Sequence, residues 1–145
     1  MTEPILRLDE FLPYRLSYTS NRVSGKIAQV YQSLFGLSIP EWRLIAVLAE
    51  KPGTTQQVIG SLTGMDKVTV SRAAVSLVER ELVARAPNPD DKRSQLLSLT
   101  QTGQRLYAEV APKAKEMEAA IFSALSPDEQ FMLRHLLLRI DAAAS

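Results

Sequence analysis

The feature that most restricts the fold of this chain is a tight turn between two short helical patterns near its middle. Thr54 or Thr55 can cap the first helix, and Gly64 supplies the left-handed residue at which many helices end. Two residues later, Asp66 can cap a second helix by accepting a hydrogen bond from an N–H group of its first turn. The sequence therefore predicts two short helices that pack against each other across this turn.

Apolar spacing indicates which faces of these two helices meet. The small residue Gly60 allows a close approach, and the second helix begins polar and ends apolar. The positions predicted to meet are Ile59, Leu62 and Met65 on the first helix and Val70, Ala74 and Leu77 on the second. The positions left for the outer side of the second helix are Lys67, Val68, Thr69, Ser71, Arg72, Val75 and Ser76.

Two short apolar segments, "LVAR" (82–85) and "SQLLSLT" (94–100), follow the helix pair. They lie on either side of a Pro-Asn-Pro-Asp-Asp stretch that is typical of a turn, so they predict a β-hairpin. Its tip carries Lys92 and Arg93, and Asp91 is placed to orient the Arg93 side chain through an ion pair. The helix pair and hairpin together indicate a winged helix-turn-helix, whose second helix reads base edges in DNA.

Helical periodicity accounts for most of the remaining chain. Apolar residues recur at three- and four-residue steps from Leu6 to Leu34, and we expect Pro13 to kink or restart this helix. The other predicted helices run from Ser38 or Pro40 to Pro52-Gly53, from Thr100 to about Phe122, and from Ser126-Pro127 onward. We therefore predict a mainly α fold of six helices with a small β-hairpin wing, built as a single domain of residues 1–145.

The C-terminal helix is apolar around most of its circumference, which requires burial on several sides. In a chain of 145 residues this pattern indicates a subunit interface, and a central core helix of a monomer is the alternative. His135 lies in the same helix, and we assign it no role. The apolar positions are Phe131, Met132, Leu133, Leu136, Leu137, Leu138 and Ile140.

Composition makes several classes of protein improbable. With no cysteine and one histidine, we expect no disulfide framework, thiol redox switch or zinc site. No nucleophile–base pair stands out, so we predict no catalytic residues, no metal, no cofactor and no enzyme activity. The mixed N-terminal stretch "MTEPILRLDE" does not look like a secretory signal and no long apolar run is present, which favours a cytoplasmic protein. The net charge of +1 does not by itself indicate a nucleic-acid partner.

Three stretches resemble the MarR family of bacterial transcriptional regulators: "PEWRLIAVL" (40–48), "IGSLTGMDKVTVSRAAVSLVERELVAR" (59–85) and "PDDKRSQLLSLTQTGQRLY" (89–107). The family's wing motif, Asp-x-Arg followed by Leu-Thr-x-x-Gly, is matched by Asp91, Arg93, Leu99, Thr100 and Gly103. The sequence departs from the family pattern in two places. Glu81-Leu82 replaces a frequent glycine, so a non-glycine residue must make the bend into the wing, and Gly60 replaces an alanine.

The resemblance implies a homodimer that binds a roughly palindromic operator in double-stranded DNA, usually as a repressor released by a small ligand. It places dimerisation in helices of about residues 5–35 and 104–143 and DNA binding in a lobe of about residues 38–103. Arg72 is the candidate for a bidentate contact to guanine or phosphate, and Arg93 for the minor groove. The candidate DNA-binding residues are Thr55, Lys67, Val68, Thr69, Ser71, Arg72, Ser76, Lys92 and Arg93, with Asp91 supporting the wing.

Family members commonly bind effectors between the dimerisation helices and the winged helix. In the matching region an arginine beside aromatic rings would suit an aromatic carboxylate. The candidate ligand-binding residues there are Tyr14, Arg15, Tyr18, Trp42 and Arg43, with Arg22 nearby. Alternatively, Trp42 anchors the core and Arg15 makes a surface ion pair. A second function also stays open, because a winged helix can serve as a protein-interaction module without specific DNA binding.

Overall fold

The computed structural model describes residues 4–145 and contains the six predicted helices and the predicted hairpin. The mainly helical fold with a two-stranded wing is therefore confirmed. Residues 1–3, the start of the stretch judged above not to be a secretory signal, lie outside the described residues. The elements are α1 (Leu12–Phe35), α2 (Ile39–Glu50), α3 (Gln56–Thr63), α4 (Lys67–Glu79), β1 (Val83–Pro87), β2 (Gln95–Leu99), α5 (Gln101–Phe122) and α6 (Pro127–Ala144).

The first helix begins later than the apolar periodicity suggested. The prediction counted helical steps from Leu6, but Leu8–Glu10 form a single 3₁₀ turn and α1 starts at Leu12. Pro13 lies in the first turn of α1, where its missing N–H group would have no partner in any case. Pro13 therefore restarts the helix, and the predicted boundary at residue 5 is too early by about two turns.

Local capping chemistry sets the ends of the helices around the central turn. Thr55 caps α3 by accepting a hydrogen bond from the Val58 N–H (3.3 Å), so Thr54 is not the cap. The Thr54 hydroxyl instead donates to the Lys51 carbonyl. Gly64 ends α3 with φ at +71°, a left-handed conformation that glycine adopts without steric cost.

The core lies between α2, α3, α4 and the wing. Ile59 packs against the buried face of α4 as predicted, whereas Leu62 is 50 % exposed and does not face α4. The reason is that α3 turns its Gly60 side toward α4, where an added Cβ would touch the Met65 carbonyl. Leu62 lies about 160° round the helix from Gly60. The fully buried side chains are Leu37, Leu44, Ile45, Leu48, Ile59, Val70, Leu77, Val83, Leu97 and Val110.

The wing is an antiparallel pair in which Val83 lies opposite Leu99 and Pro87 opposite Gln95. Glu81 makes the bend into the wing with φ at +60°. It therefore adopts a left-handed conformation at the place where the family pattern often has a glycine. The Thr100 hydroxyl donates to the Glu81 carbonyl (2.7 Å), which holds this bend in place.

A cluster of polar groups joins α4 to the turn between α1 and α2. Ser76 Oγ donates to Glu41 Oε2 (2.8 Å), and the Arg80 guanidinium lies 3.7 Å from the same oxygen. Arg80 also donates to the carbonyls of Phe35 (3.3 Å), the last residue of α1, and of Gly36 (3.0 Å), its C-terminal cap. This Glu41 cluster therefore fixes the rear half of α4 against the ends of two other helices.

Glu41 has a second role in the capping box of α2. Its Oε1 accepts from the Ser38 N–H (2.9 Å), while Ser38 Oγ accepts from the Glu41 N–H (3.2 Å). Burial alone would raise the pKa of Glu41, but the hydrogen bonds from Ser38 and Ser76 and the charge of Arg80 outweigh it and lower the pKa. The carboxylate is therefore ionised at neutral pH.

The described residues form two compact units, one extending to Val110 and the other comprising Ala111–Ser145. In the second unit, Gln130 Nε2 donates to the carbonyls of Phe122 (3.0 Å) and Leu125 (3.1 Å) and so ties the start of α6 to the end of α5. Phe131 and Leu138 of α6 are 66 % and 68 % exposed. No helix within residues 4–145 is both long and apolar enough to cross a membrane.

Replacing Gly103 with alanine should destabilise the protein by about 1–3 kcal/mol, the usual range for overpacking. Gly103 lies in the first turn of α5, and an added Cβ would overlap the carbonyl oxygen of Leu82. Gly25→Ala is the matched control, because a Cβ there has no neighbour within 4 Å and alanine favours helix. Urea unfolding at one fixed protein concentration measures both; equal effects of the two substitutions would contradict the close approach at Gly103.

Replacing Glu41 with glutamine should lower the free energy of unfolding by about 1 kcal/mol at neutral pH. Because the folded-state pKa lies below the ordinary 4.5, this stabilisation is complete above about pH 5 and is lost as pH falls through the folded pKa. Glu50→Gln, on the exposed end of α2, is the control: it keeps Glu41, so it should match the wild type at neutral pH and still lose the Glu41 stabilisation as pH falls. The role of the Glu41 cluster would be refuted by equal pH profiles for the two variants, measured by urea unfolding between about pH 7 and about pH 3.5.

Candidate nucleic-acid interface

The outer face of α4 is defined by the residues that the helix buries. Its buried side is made of Val70, Ala73, Ala74 and Leu77. At 100° per residue, the stripe directly opposite contains Val68, Arg72 and Val75, and all three side chains are exposed. The structure therefore presents Val68 and Arg72 outward, as the sequence predicted.

The cap at Asp66 fixes where this outer face begins. Asp66 Oδ1 accepts a hydrogen bond from the Thr69 N–H (2.7 Å), and α4 starts at the next residue, Lys67. That hydrogen bond, with a smaller contribution from the charge of Arg72, lowers the pKa of the Asp66 carboxyl below its usual range. The cap is therefore ionised at neutral pH, and it sets the first turn of α4 with Lys67 and Val68 exposed.

The remaining candidates on α4 are less accessible. Thr69 and Ser71 are half-buried, and Ser76 is half-buried with its hydroxyl hydrogen donated to Glu41. Ser76 thus keeps only its acceptor capacity for a further partner. The Glu41 cluster was not predicted because its contacts between helices join residues 35 or more positions apart, although the Ser38-x-x-Glu41 capping pattern was readable.

The tip of the wing is held by hydrogen bonds within its own loop. Asp91 Oδ1 accepts from the backbone N–H of Arg93 (2.9 Å), and Asn88 Nδ2 donates to Ser94 Oγ (3.0 Å). Within residues 4–145 no ion pair joins Asp91 to the Arg93 guanidinium, so the predicted ion pair is wrong. The Asp91 carboxylate instead accepts from the backbone N–H two residues later, as in an Asx turn. That fixed donor is easier to satisfy than the flexible guanidinium. The Lys92 and Arg93 side chains are both exposed.

An open groove of about 570 Å³ lies between α3 and α4, with Lys67 on its rim. Thr55, at the start of α3, is half-buried with its hydroxyl engaged in capping. Beside it, Gln56 Oε1 accepts from Arg85 Nη1 (3.1 Å), which links the wing to the start of α3. Sequence analysis did not select Arg85, because the alternation in a five-residue strand does not reveal a contact 29 residues away. The groove is lined by Gln56, Gln57, Gly60, Ser61, Met65, Lys67 and Val70.

The candidate ligand residues fall into separate places instead of one pocket. Tyr14 and Tyr18 have ring centroids 5.8 Å apart, and the Arg15 guanidinium lies 5.8 Å from the Tyr18 ring. Arg22 Nη1 donates to the Tyr18 hydroxyl (3.0 Å). These four residues, which we call the α1 aromatic–arginine cluster, lie on the first half of α1.

Trp42 belongs to a different aromatic group. It lies between Tyr31 (ring centroids 5.6 Å apart) and Tyr107, on which it stacks at 5.8 Å. Tyr31 is thirteen residues, or about 20 Å of helix, beyond Tyr18 on α1. Trp42 is therefore half-buried in an aromatic group apart from the α1 aromatic–arginine cluster, and Arg43 next to it is exposed.

No group of three or more histidine, cysteine, aspartate or glutamate side chains within residues 4–145 is arranged to hold a metal ion. The exposed groups of the winged helix include the cations of Lys67, Arg72, Lys92 and Arg93, which suit phosphate oxygens and base edges.

Comparisons with known proteins agree with this arrangement. Residues 35–94 match the sequence model of the MarR family. The transcriptional regulator HosA of Escherichia coli O111:H- is 26 % identical over 128 residues, spanning 83 % of this chain and 95 % of HosA.

Two solved structures are also similar. A MarR/EmrR family transcriptional regulator from Acinetobacter sp. ADP1 is 27 % identical with a TM-score of 0.88, covering 96 % of this chain and 98 % of that one. A probable transcriptional regulator from Pseudomonas aeruginosa is 32 % identical with a TM-score of 0.78, covering 92 % and 99 %. The chain therefore belongs to the MarR family of winged helix-turn-helix transcriptional regulators, which are DNA-binding proteins and not enzymes.

Proposed function

We propose that this regulator is a homodimeric repressor that binds a palindromic operator and is released from it by a small aromatic carboxylate. The observation that carries the DNA-binding part is the outer face of α4, where Val68 and Arg72 stand opposite the buried side of the helix. In a winged helix-turn-helix, the N-terminal residues of the second helix contact base edges in the major groove. Lys67 and Arg72 supply cations at this position.

The wing would add contacts outside the major groove. Lys92 and Arg93 project from a tip whose backbone is held by Asp91 and Asn88, so the two side chains are carried on an ordered loop. A guanidinium suits a narrow minor groove, where the electrostatic potential is most negative. We assign Arg93 to the minor groove and Lys92 to phosphate.

The dimer would cover the exposed apolar side chains at the two ends of the chain. Phe131, Met132, Leu138 and Ile140 are exposed on α6, and Ile5 and Leu12 are exposed near the N-terminus. Isolated exposed apolar residues are common, but a helix with this many is typical of an interface. We assign dimerisation to the terminal helices within residues 5–35 and 104–143, and DNA binding to the lobe of residues 38–103.

The α1 aromatic–arginine cluster is our candidate for the effector site. Arg15 and Arg22 are exposed beside the Tyr18 ring, which offers a charge-assisted partner for a carboxylate and a surface for stacking. Two regulators of the same fold bind or respond to aromatic molecules, one of them an aromatic carboxylic acid. BpsR of Bordetella bronchiseptica is regulated in DNA binding by 6-hydroxynicotinic acid, and CouR of Rhodococcus jostii RHA1 binds p-coumaroyl-CoA; each is 22 % identical to this chain.

Release would follow from the geometry of two half-sites. The recognition helices of a dimer must match major grooves about 34 Å apart, so a ligand that favours another spacing lowers operator affinity. A ligand can shift the equilibrium only by its difference in affinity for the two spacings. A difference of a few kcal/mol is enough to change occupancy substantially.

Replacing Arg93 with alanine should weaken DNA binding and make it less sensitive to salt. Fluorescence anisotropy with sheared genomic DNA between about 50 and about 200 mM salt measures the slope of log affinity against log salt. The variant should reduce the magnitude of that slope by about 1, because the Arg93 cation in the minor groove displaces counterions from the duplex and the substitution removes it. Lys115→Ala, an exposed cation on α5 outside the proposed DNA surface, should leave the slope unchanged. Salt-insensitive binding of the wild type, or no binding at all, would favour a protein-interaction module instead.

Replacing Arg15 with alanine should weaken ligand-induced release at least about tenfold while leaving DNA affinity unchanged, because a charge-assisted contact to the carboxylate is lost. The measurement is release from bound DNA during titration with benzoate, salicylate and 6-hydroxynicotinate. Lys26→Ala removes a cation elsewhere on the same exposed helix and serves as the control. If none of these acids releases the wild type, or if Arg15→Ala and Lys26→Ala respond alike, the proposed effector site is wrong.

A further inference from the structure

The stripe on α4 opposite the core contains two apolar side chains that the fold leaves unused. Val68 is 58 % exposed and Val75 is 45 % exposed, one on each side of Arg72 along the helix. The buried side of α4 is already filled by Val70, Ala74 and Leu77, so neither valine contributes to the core. Both also lower helix propensity relative to alanine, because a β-branched side chain loses rotamer freedom in a helix.

The surroundings of Val68 identify the kind of partner that would cover it. Lys67 precedes it and Arg72 follows one turn later on the same exposed stripe, so the patch combines an apolar group with two cations. Duplex DNA offers such a mixture in the major groove, where phosphates line the edges and the base edges lie on the floor. The apolar group that base pairs present there is the C5-methyl group of thymine.

Position along the helix distinguishes the two valines. Val68 is the second residue of α4, whereas Val75 is the ninth and lies about 10 Å further along the axis. Base contacts of a recognition helix are made by its N-terminal residues. Of the two valines, which have the same side chain on the same stripe, Val68 is therefore the one at the position from which a recognition helix contacts base edges.

We propose that Val68 is a specificity-determining residue that contacts a thymine methyl group in each operator half-site, with Arg72 reading the adjoining bases one turn further along α4. This inference rests on the proposed DNA binding and adds the base that is recognised. It assigns discrimination for thymine to an apolar contact and not to a hydrogen bond.

The test compares DNA with and without that methyl group. A fragment selected from sheared genomic DNA by the full-length protein is amplified once with dTTP and once with dUTP. Uracil pairs as thymine does but lacks the methyl group. Losing one buried methyl contact corresponds to roughly a fourfold drop in affinity, so a dimer with two half-sites should bind the uracil fragment roughly fifteenfold more weakly.

The substitution V68A should abolish this preference, so that the variant binds both fragments with the affinity of the wild type for uracil DNA. V75A is the matched control, with the same change on the same stripe, and should retain the thymine preference in full. Alanine favours helix at both positions, and circular dichroism of each variant checks that its helix content equals that of the wild type.

The outcomes separate this inference from the proposed function. Wild-type protein that binds thymine and uracil DNA equally would overturn the role of Val68 and leave DNA binding in place. A thymine preference that persists in V68A would also overturn it, since the preference would then come from DNA shape. Wild-type protein that binds neither fragment would overturn both.

Discussion

The packing of α4 against three neighbouring elements is the constraint on which the rest of the structure depends. Ala73 and Ala74 bring the helix close to α2, α3 and β1, and Val70 and Leu77 fill the space between them. Because one side of α4 is packed closely against these elements, the helix cannot rotate about its axis and only the opposite side faces solvent. The direction of the outer stripe is therefore a consequence of the core, and the Glu41 cluster prevents rotation at the rear of the helix.

Sequence reasoning succeeded where a signal is local. The caps at Ser38, Thr55, Asp66 and Ser126 and the end at Gly64 each depend on residues within three or four positions, so the sequence identified three of them and narrowed Ser38 and Thr55 to one of two residues each. The hairpin was predictable for the same reason, because two short apolar segments surround a turn. The missing glycine at the entrance to the wing also led to a correct expectation, namely that a non-glycine residue makes the bend; the structure shows that this residue is Glu81, with φ at +60°.

Sequence reasoning failed where contacts join distant residues. Nothing in the spacing of Leu62 shows that Gly60 would turn α3 away from it, and the contact of Arg80 with Phe35 spans 45 positions. The proposed ligand residues were grouped because they combine arginine and aromatic rings, yet Trp42 packs on Tyr31 and Tyr107, about 20 Å along α1 from Tyr18. Composition indicates which chemistry is available, but only the fold determines which of these groups meet.

The aromatic group around Trp42 has a further consequence, because Trp42 is the only tryptophan in the chain. Its indole lies within 6 Å of the rings of Tyr31 on α1 and Tyr107 on α5, so three helices meet at one fluorophore. The near-ultraviolet fluorescence of the protein therefore comes mainly from Trp42. Nearby tyrosines contribute by transferring their excitation energy to it. The chain thus contains its own optical reporter of the angle at which α1, α2 and the start of α5 meet, without any attached label.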